Sequence, residues 1–454
     1  MQDPASASTS CASLTGQDIA DVAIIGGGFV GLWTALTIKE LSPHSRVTIV
    51  EKDICGGGAS GRNGGFAMTW WPKIASLLAF ASVDEALFLA EASEHAIDEI
   101  EGFCREHHID AHIQRSGWLW TATTDAQQDA WEATVRACEK VGAKPFERLS
   151  SSEVARRTGS PMHRAGVFER SNGTVQPANL VRGMKKVALA QGIRIYEHTA
   201  VQEISRSRPS TIRTSHGQIQ ADCVVLATNA WSAEISEIAR LIVPVNSAIV
   251  VTDPIPERLK AIGWTGGESI TDSQLMVGYY RTTRDGRIAY GKGTGALAKG
   301  GIIDSTFSHH AQSCQFAERD FRRAYPMLAD VRLSHSWSGP IDRTYDSLPV
   351  FGTISGTEHI HYGVGWSGNG VAPSRLGGKI LASMALRRDD EWTRCALLGR
   401  KARQFPPEPI RYLGGELVRN AVRRKEAREA EGLRPRRIDV ALAGLAPSGL
   451  EDKS

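Results

Sequence analysis

The residues whose spacing could do chemistry come early in the chain. Residues 21–31 read D-V-A-I-I-G-G-G-F-V-G and residues 47–52 read V-T-I-V-E-K. Gly26, Gly28 and Gly31 form a Gly-x-Gly-x-x-Gly turn. The first glycine allows a tight turn, the second lets backbone approach a pyrophosphate, and the third lets a helix pack closely on a strand. Glu51 stands 20 residues past Gly31 (51 − 31), with Lys52 beside it. A carboxylate at that distance reaches both hydroxyls of a ribose. A helix starting at the turn aims its first N–H groups and positive dipole end at the phosphates. The pattern is that of an adenine-dinucleotide site. His107-His108 and His309-His310 are adjacent pairs with nothing nearby to complete a ligand set, so no metal is expected.

These residues need a strand, a turn, a helix and a second strand ending in the acid, and the rest of the chain shows what surrounds them. Ten of the forty residues from Gly26 to Gly65 are glycine, a density suited to backbone that hugs phosphates and a flat ring. From about residue 84 the apolar spacing is helical, with Leu89, Ala96, Ile100 and Phe103 on one face. A second α/β passage follows at residues 175–231: a helix over 180–191 stopped by Gly192, a strand at 193–196, a polar hairpin at 203–215, and a continuous apolar strand at 223–227. Residues 243–295 show short alternating runs around Asp285-Gly286, the pattern of antiparallel hairpins. Parallel character returns at 359–365, with a Gly-rich turn and a helix over 372–387. The expected fold is α/β: a Rossmann-like dinucleotide domain assembled from residues 18–77, 150–235 and 336–400. An α+β domain built on an antiparallel sheet is inserted as 78–149 and 236–335. A flexible start, 1–17, and a basic helical tail, 401–454, complete the expected organisation.

At 454 residues, two domains are the default. The formal charge of +3 implies no acidic partner by itself. Seven scattered cysteines without a C-x-x-C pair argue for free thiols in a reducing compartment. Residues 1–17 lack a charged start and an apolar run, and no stretch approaches a spanning length, so a cytoplasmic protein without a membrane span is expected. The tail from Arg400 to Arg437 holds 12 Lys/Arg against 5 Glu, a net of +7. Within it a helix over 416–431 carries the stripe Leu417, Val418, Ala421, Val422, read as a solvated helix docked on the body, with a membrane- or nucleic-acid-facing patch as the alternative.

Three further segments separate NAD from FAD. They are G-G-G-A-S-G-R-N-G-G at 56–65, A-D-C-V-V-L-A-T-N-A-W-S at 221–232, and Y-D-S-L-P-V-F-G with Y-G-V-G-W-S-G-N-G-V at 345–352 and 362–371. At these residues the chain resembles the FAD-dependent oxidoreductases of the D-amino-acid oxidase (glycine oxidase, sarcosine oxidase) superfamily. The variant loop and the tail F-P-P-E-P-I-R-Y-L-G at 405–414 are most similar to its gamma-glutamylputrescine oxidoreductase branch. The resemblance spans about residues 20–430. It implies that Ser60, Gly61, Arg62, Asn63, Gly64 and Gly65 wrap the pyrophosphate and the flavin edge, and that Val201 meets adenine through its backbone. Ala227 and Thr228 would pass close to the dinucleotide. Gly365, Gly368, Asn369, Gly370 and Val371 would bring a helix start to the flavin pyrimidine. Sarcosine oxidases attach flavin through a Cys before Thr-x-Asp; here that place is about Gly339, ahead of Thr344-Tyr345-Asp346. Relatives that attach through a His do so where this chain has Arg62-Asn63, so the expected FAD is non-covalent. A substrate-carboxylate Lys of sarcosine oxidases is replaced by Ala372.

In such enzymes the flavin carries the hard step, so no Ser/His/Asp set is needed and no catalytic residue is assigned. Substrate candidates are Tyr280 and Arg281, in G-Y-Y-R-T-T, with Trp70 and Trp366 as pocket walls. Arg281 could clamp an anionic group or pair with a structural acid. The expectation is oxidation of a small primary or secondary amine carrying an anionic group, with O2 or another acceptor taking the electrons. Alternatives are a flavin module on a modified tRNA base and a quinone-linked dehydrogenase of D-amino acids or amines; no nucleic-acid partner is expected. Oligomeric state is left open by the sequence.

Overall fold

The buried apolar runs collect into two large sheets, one mainly parallel and one mainly antiparallel, that meet along a cleft, with a two-stranded ladder of Phe66–Ala67 and Gly173–Thr174 beside them. The protein is described from a computed structural model covering residues 10–449 and Asp452. In the first sheet the strands run in the order Val350–Thr353, Ile360–Val364, Gly217–Leu226, Gly16–Ile25, Val47–Val50 and Arg194–Tyr196. The middle pairs are parallel: Val22 stands beside both Cys223 and Val47. Ile24, Ile49, Val224 and Val225 are fully buried, because helices cover one face of the sheet and the hairpin with residues 233–242 covers the other. The helix Phe29–Leu41 follows the Gly turn, and it packs on Pro373–Ala385 so closely that a Cβ on Gly378 would meet Trp33 Cβ at 2.5 Å. The polar hairpin forms as Val201–Ile204 and Ser210–Thr214 on the edge of Gly217–Leu226.

The second sheet runs Leu333–Arg343, Val243–Thr252, Ile288–Leu297, Gly278–Thr282, Ser269–Asp272, Trp118–Ala122, Ala165–Glu169 and Phe146–Leu149. All its neighbours are antiparallel except Ser269–Asp272 beside Trp118–Ala122. Its outer face is closed by Ala311–Ala324 and by a cluster of Tyr280, Tyr290, Phe321 and Tyr325.

Three expected boundaries shift. Ala165–Glu169 and Leu333–Arg343 belong to the antiparallel sheet, so the chain changes sheets near residues 170 and 344 rather than at 150 and 336. The sheet of each strand is decided by partners distant in sequence, Trp118–Ala122 for the first and Val243–Thr252 for the second. The flexible start is also shorter than 1–17: Gly16 already opens a strand and Leu14 is buried, while residues 1–9 lie outside the described part. The tail helix runs Ile410–Ala430, beginning six residues (416 − 410) before the apolar stripe suggested. All seven cysteines are free thiols. Among the described residues no helix is long and apolar enough to cross a membrane, and no cluster of ligating side chains could hold a metal.

Candidate active site

A cleft of about 950 Å³ runs from the Gly26 turn, past Glu51, Val201 and Ala227, to the face of the antiparallel sheet. At its first end the glycines act through backbone. Gly26 has φ +114, and a Cβ there would lie 2.4 Å from the Ala227 carbonyl oxygen. Gly31 does not line the cleft; a Cβ on it would strike the Gly26 carbonyl oxygen at 1.9 Å, so it sets how closely the helix meets the strand. The helix Phe29–Leu41 carries no acid in its first turn, leaving its positive end for an anion. Glu51 accepts the Gly27 amide at 2.8 Å and the Asp53 amide at 2.9 Å, one on each oxygen. Burial pushes its carboxyl above the usual range, and those two amides pull it back down. Lys52 lies 3.8 Å over the Trp231 ring, and burial lowers its ammonium.

The loop after Glu51 folds into a short helix, Ala59–Arg62. Ser60 Oγ accepts the Phe29 amide at 2.8 Å, tying this loop to the first turn of the dinucleotide helix. Asn63 closes the loop on itself: Oδ1 accepts the Gly65 amide and Nδ2 donates to the carbonyls of Ala59 and Ser60. Arg62 Nε donates to the Gly57 carbonyl at 2.7 Å, and its side chain packs beside Gly339. Gly61 and Gly65 stay behind the surface, Gly61 donating to the Gly56 carbonyl.

At the other end Asp342 joins the sheets. Its carboxylate accepts the amides of Gly365 at 2.6 Å and Trp366 at 3.0 Å, and Asn229 Nδ2 at 3.2 Å. Burial pushes its carboxyl up to about 7 despite these donors. Gly365 is thereby turned inward, while Trp366, Gly368, Gly370 and Val371 line the cleft beside Thr228 and Gly339. Asn369 reaches back towards the Thr69 carbonyl, a long contact of 3.4 Å. Nearby, Glu169 is fully buried, accepts the Thr69 hydroxyl at 2.7 Å, and is pushed by burial up to about 8.

The substrate candidates fare differently. Gly278–Thr282 alternates, so Tyr279 and Arg281 share one side and Tyr280 the other. Tyr280 does not line the cleft; it stacks on Tyr290 at 4.6 Å and pairs with His163 at 3.0 Å in the core behind the sheet. Tyr279, which the sequence reading passed over, faces the cleft instead. Its ring rests on Gly291, where a Cβ would come within 2.0 Å, and its hydroxyl pairs with Ser247 Oγ at 2.8 Å. Arg281 donates to the carbonyls of Gly64 at 2.6 Å, Val175 at 2.9 Å and Thr282 at 3.1 Å, so its guanidinium fastens the Gly loop. Trp70 is 1% exposed and lies in the main core, with its amide on Ser93 Oγ. Adjacent tyrosines carry no sign of which faces in, so period-two spacing alone could find the pair but not the choice. Asp342 had no sequence signal, since its role is to receive amides 23 and 24 residues away.

A family model described as FAD dependent oxidoreductase (DAO) matches residues 21–384. The chain belongs to that family. It is 28% identical over 378 residues to gamma-glutamylputrescine oxidoreductase of Escherichia coli K12, covering 82% of this chain and 84% of that protein. Glycine oxidase of Geobacillus kaustophilus is 25% identical over 81% of this chain and 93% of its own length. The crystal structure of that glycine oxidase superposes with a TM-score of 0.69 at 21% identity, covering 85% of this chain and all of the other. L-proline dehydrogenase from P. horikoshii superposes with a TM-score of 0.67, covering 82% and 94%. The family is FAD-dependent, and the glycine cradle, uncontested helix terminus and ribose-height carboxylate described above fit that cofactor.

Proposed function

We propose that this flavoenzyme oxidises a small primary or secondary amine at the carbon next to nitrogen. That carbon loses a hydride and the nitrogen a proton, and water hydrolyses the resulting imine to an aldehyde or oxo acid plus ammonia (from a primary amine) or an amine (from a secondary one). O2 is the proposed acceptor, reduced to H2O2. Bound FAD supplies the two-electron sink for the C–H bond. The observation that carries the reading is that one cleft joins the Gly26–Glu51 dinucleotide end to a largely apolar end framed by Phe66, Met68, Ile249, Tyr279 and Trp366. Such walls favour the neutral amine, the form able to release hydride, over the ammonium. The Tyr279 hydroxyl, pushed by burial up to about 12, stays protonated and with Ser247 can orient a substrate nitrogen or oxygen. Gamma-glutamylputrescine, glycine and sarcosine, the substrates named by relatives, define the classes to try.

The anionic group expected on the substrate rested on Arg281, whose donors go to carbonyls. Arg62 is the better candidate for that contact, since it lines the cleft where the Gly loop meets the antiparallel sheet. Non-covalent FAD is supported by the lining of the cleft, which among the described residues contains no Cys or His. The test is an anaerobic titration of the purified yellow protein with amines, followed by admission of air. Bleaching by one amine class, fast recovery in air and release of the colour on denaturation are expected. A flavin spectrum that no amine bleaches would overturn the reaction, and slow recovery would overturn O2 as acceptor.

A further inference from the structure

We propose that the C-terminal helical pair is a docking surface for an anionic lipid bilayer. The tail helix Ile410–Ala430 holds to the body through Ala421 and Val422, the latter packed with Met276 and Ala443, and through Glu426, which accepts the Met276 amide. A short helix, Arg437–Ala443, lies along its second half, fixed by Arg424 and Asp439 at 2.6 Å. That short helix covers only part of the line it packs on. Ile410, Leu413 and Leu417, spaced three and four apart, continue the line towards the start of the tail helix and are 60%, 63% and 54% exposed. Ile438 and Leu445, seven apart, are 65% and 59% exposed. Isolated exposed aliphatics are ordinary, but four on two adjoining helices, with Leu445 in the turn just after the second, make a surface that water disfavours.

The charge around this surface identifies its occupant. Residues 400–437 carry 12 cations and 5 acids. Ion pairs engage Arg400, Arg411, Arg419, Arg424 and Lys425. Arg423, Arg434, Arg436 and Arg437 are exposed and, among the described residues, have no acidic partner. A second copy of the chain would bring these cations against their equals. A nucleic acid would meet the cations but offer nothing to the aliphatics, and Tyr412 is the only ring available for stacking between residues 406 and 454. An anionic bilayer satisfies both halves: acyl chains take Ile410, Leu413, Leu417, Ile438 and Leu445, and headgroup phosphates take the arginines. Neither signal suffices alone, so binding should be reversible and sensitive to salt.

The test is flotation of the FAD-loaded protein with vesicles of phosphatidylcholine, alone or with roughly a quarter phosphatidylglycerol. Binding only to the anionic vesicles is expected. It should fall at high salt, and by about tenfold or more in L413E/L417E at unchanged flavin content. Replacing Arg434, Arg436 and Arg437 by Ala should weaken it to a similar degree, which guards against a glutamate effect confined to helix packing. No flotation with anionic vesicles, or flotation undiminished from that of the parent protein in either variant, overturns the proposal. So does a doubled mass in solution that L413E/L417E abolishes without any vesicle binding, which would make the surface a self-interface. RNA binding lost in the arginine variant but kept in L413E/L417E, without vesicle binding, would equally overturn it.

Discussion

The two ends of the cleft are built by different means. At the dinucleotide end the contacts belong to backbone: the Gly26 turn, the amides on Glu51, the Ser60 hydroxyl on the Phe29 amide. At the far end they belong to side chains standing on strands, Tyr279 with Ser247 and Asp342 with the Gly365 turn. A backbone site depends on where glycines fall and on fixed spacing, so it tolerates few substitutes. A side-chain site on an alternating sheet depends on which face each residue takes, and one step in register moves it to the core.

The largest effect is expected at the backbone end. Gly31→Val places atoms inside the Gly26 carbonyl contact, so the protein should lose bound FAD, read as the ratio of 450 to 280 nm absorbance, and melt earlier. If the variant keeps full flavin, the backbone account of this end fails. Next comes the paired test Tyr279→Phe against Tyr280→Phe. The first should lower kcat/KM roughly tenfold with little change in stability, equivalent to about 1.4 kcal/mol. The second should leave turnover intact and cost about 1 kcal/mol, since its hydroxyl bond to His163 lies in the core. Equal kinetic effects would erase the distinction between the two faces.

Arg281→Lys sharpens the comparison further. A lysine cannot hold the carbonyls of Gly64, Val175 and Thr282 together, so stability should fall by about 1–2 kcal/mol. KM for anionic and uncharged amines should rise by the same factor; a selective rise for the anionic one would restore Arg281 as a clamp. A last test, read as pH dependence rather than turnover, concerns Glu169. Its folded pKa, about 8, lies above the ordinary 4.5. Between those values the unfolded chain gives up its proton while the folded chain keeps it, so stability falls as pH rises from about 4.5 to about 8. Glu169→Gln should flatten that part of the stability curve, measured by denaturant melts across the window. An unchanged slope would place the titration elsewhere.

How much was legible follows the same division. Residues 21–52 announced strand, turn, helix and acid because each has its own chemical requirement, and the structure arranges them in that order. The loop glycines were found as a group, though Gly61 and Gly65 turned out to shape the surface from behind. On the antiparallel sheet, alternation located Gly278–Thr282 but not its facing, and tryptophans at 70 and 366 looked alike although one is core and one is wall. The strands Ala165–Glu169 and Leu333–Arg343 changed sheets because partners more than a dozen residues away decide them. Asp342 was invisible for that same reason.

The strand Gly16–Ile25 has one further consequence, for synthesis. Its neighbour Val47–Val50 is translated within a few dozen residues, but its other edge is paired by Gly217–Leu226. Until that segment leaves the ribosome, this interior strand of the first sheet has a bare edge of unpaired amides and carbonyls. The cleft closes later still, since Arg343 on its wall is held by the carbonyl of Ser448. A chain stopped anywhere before residue 226 should therefore meet chaperones and proteases with its most adhesive edge open, and any chain stopped before 448 would carry a half-finished pocket.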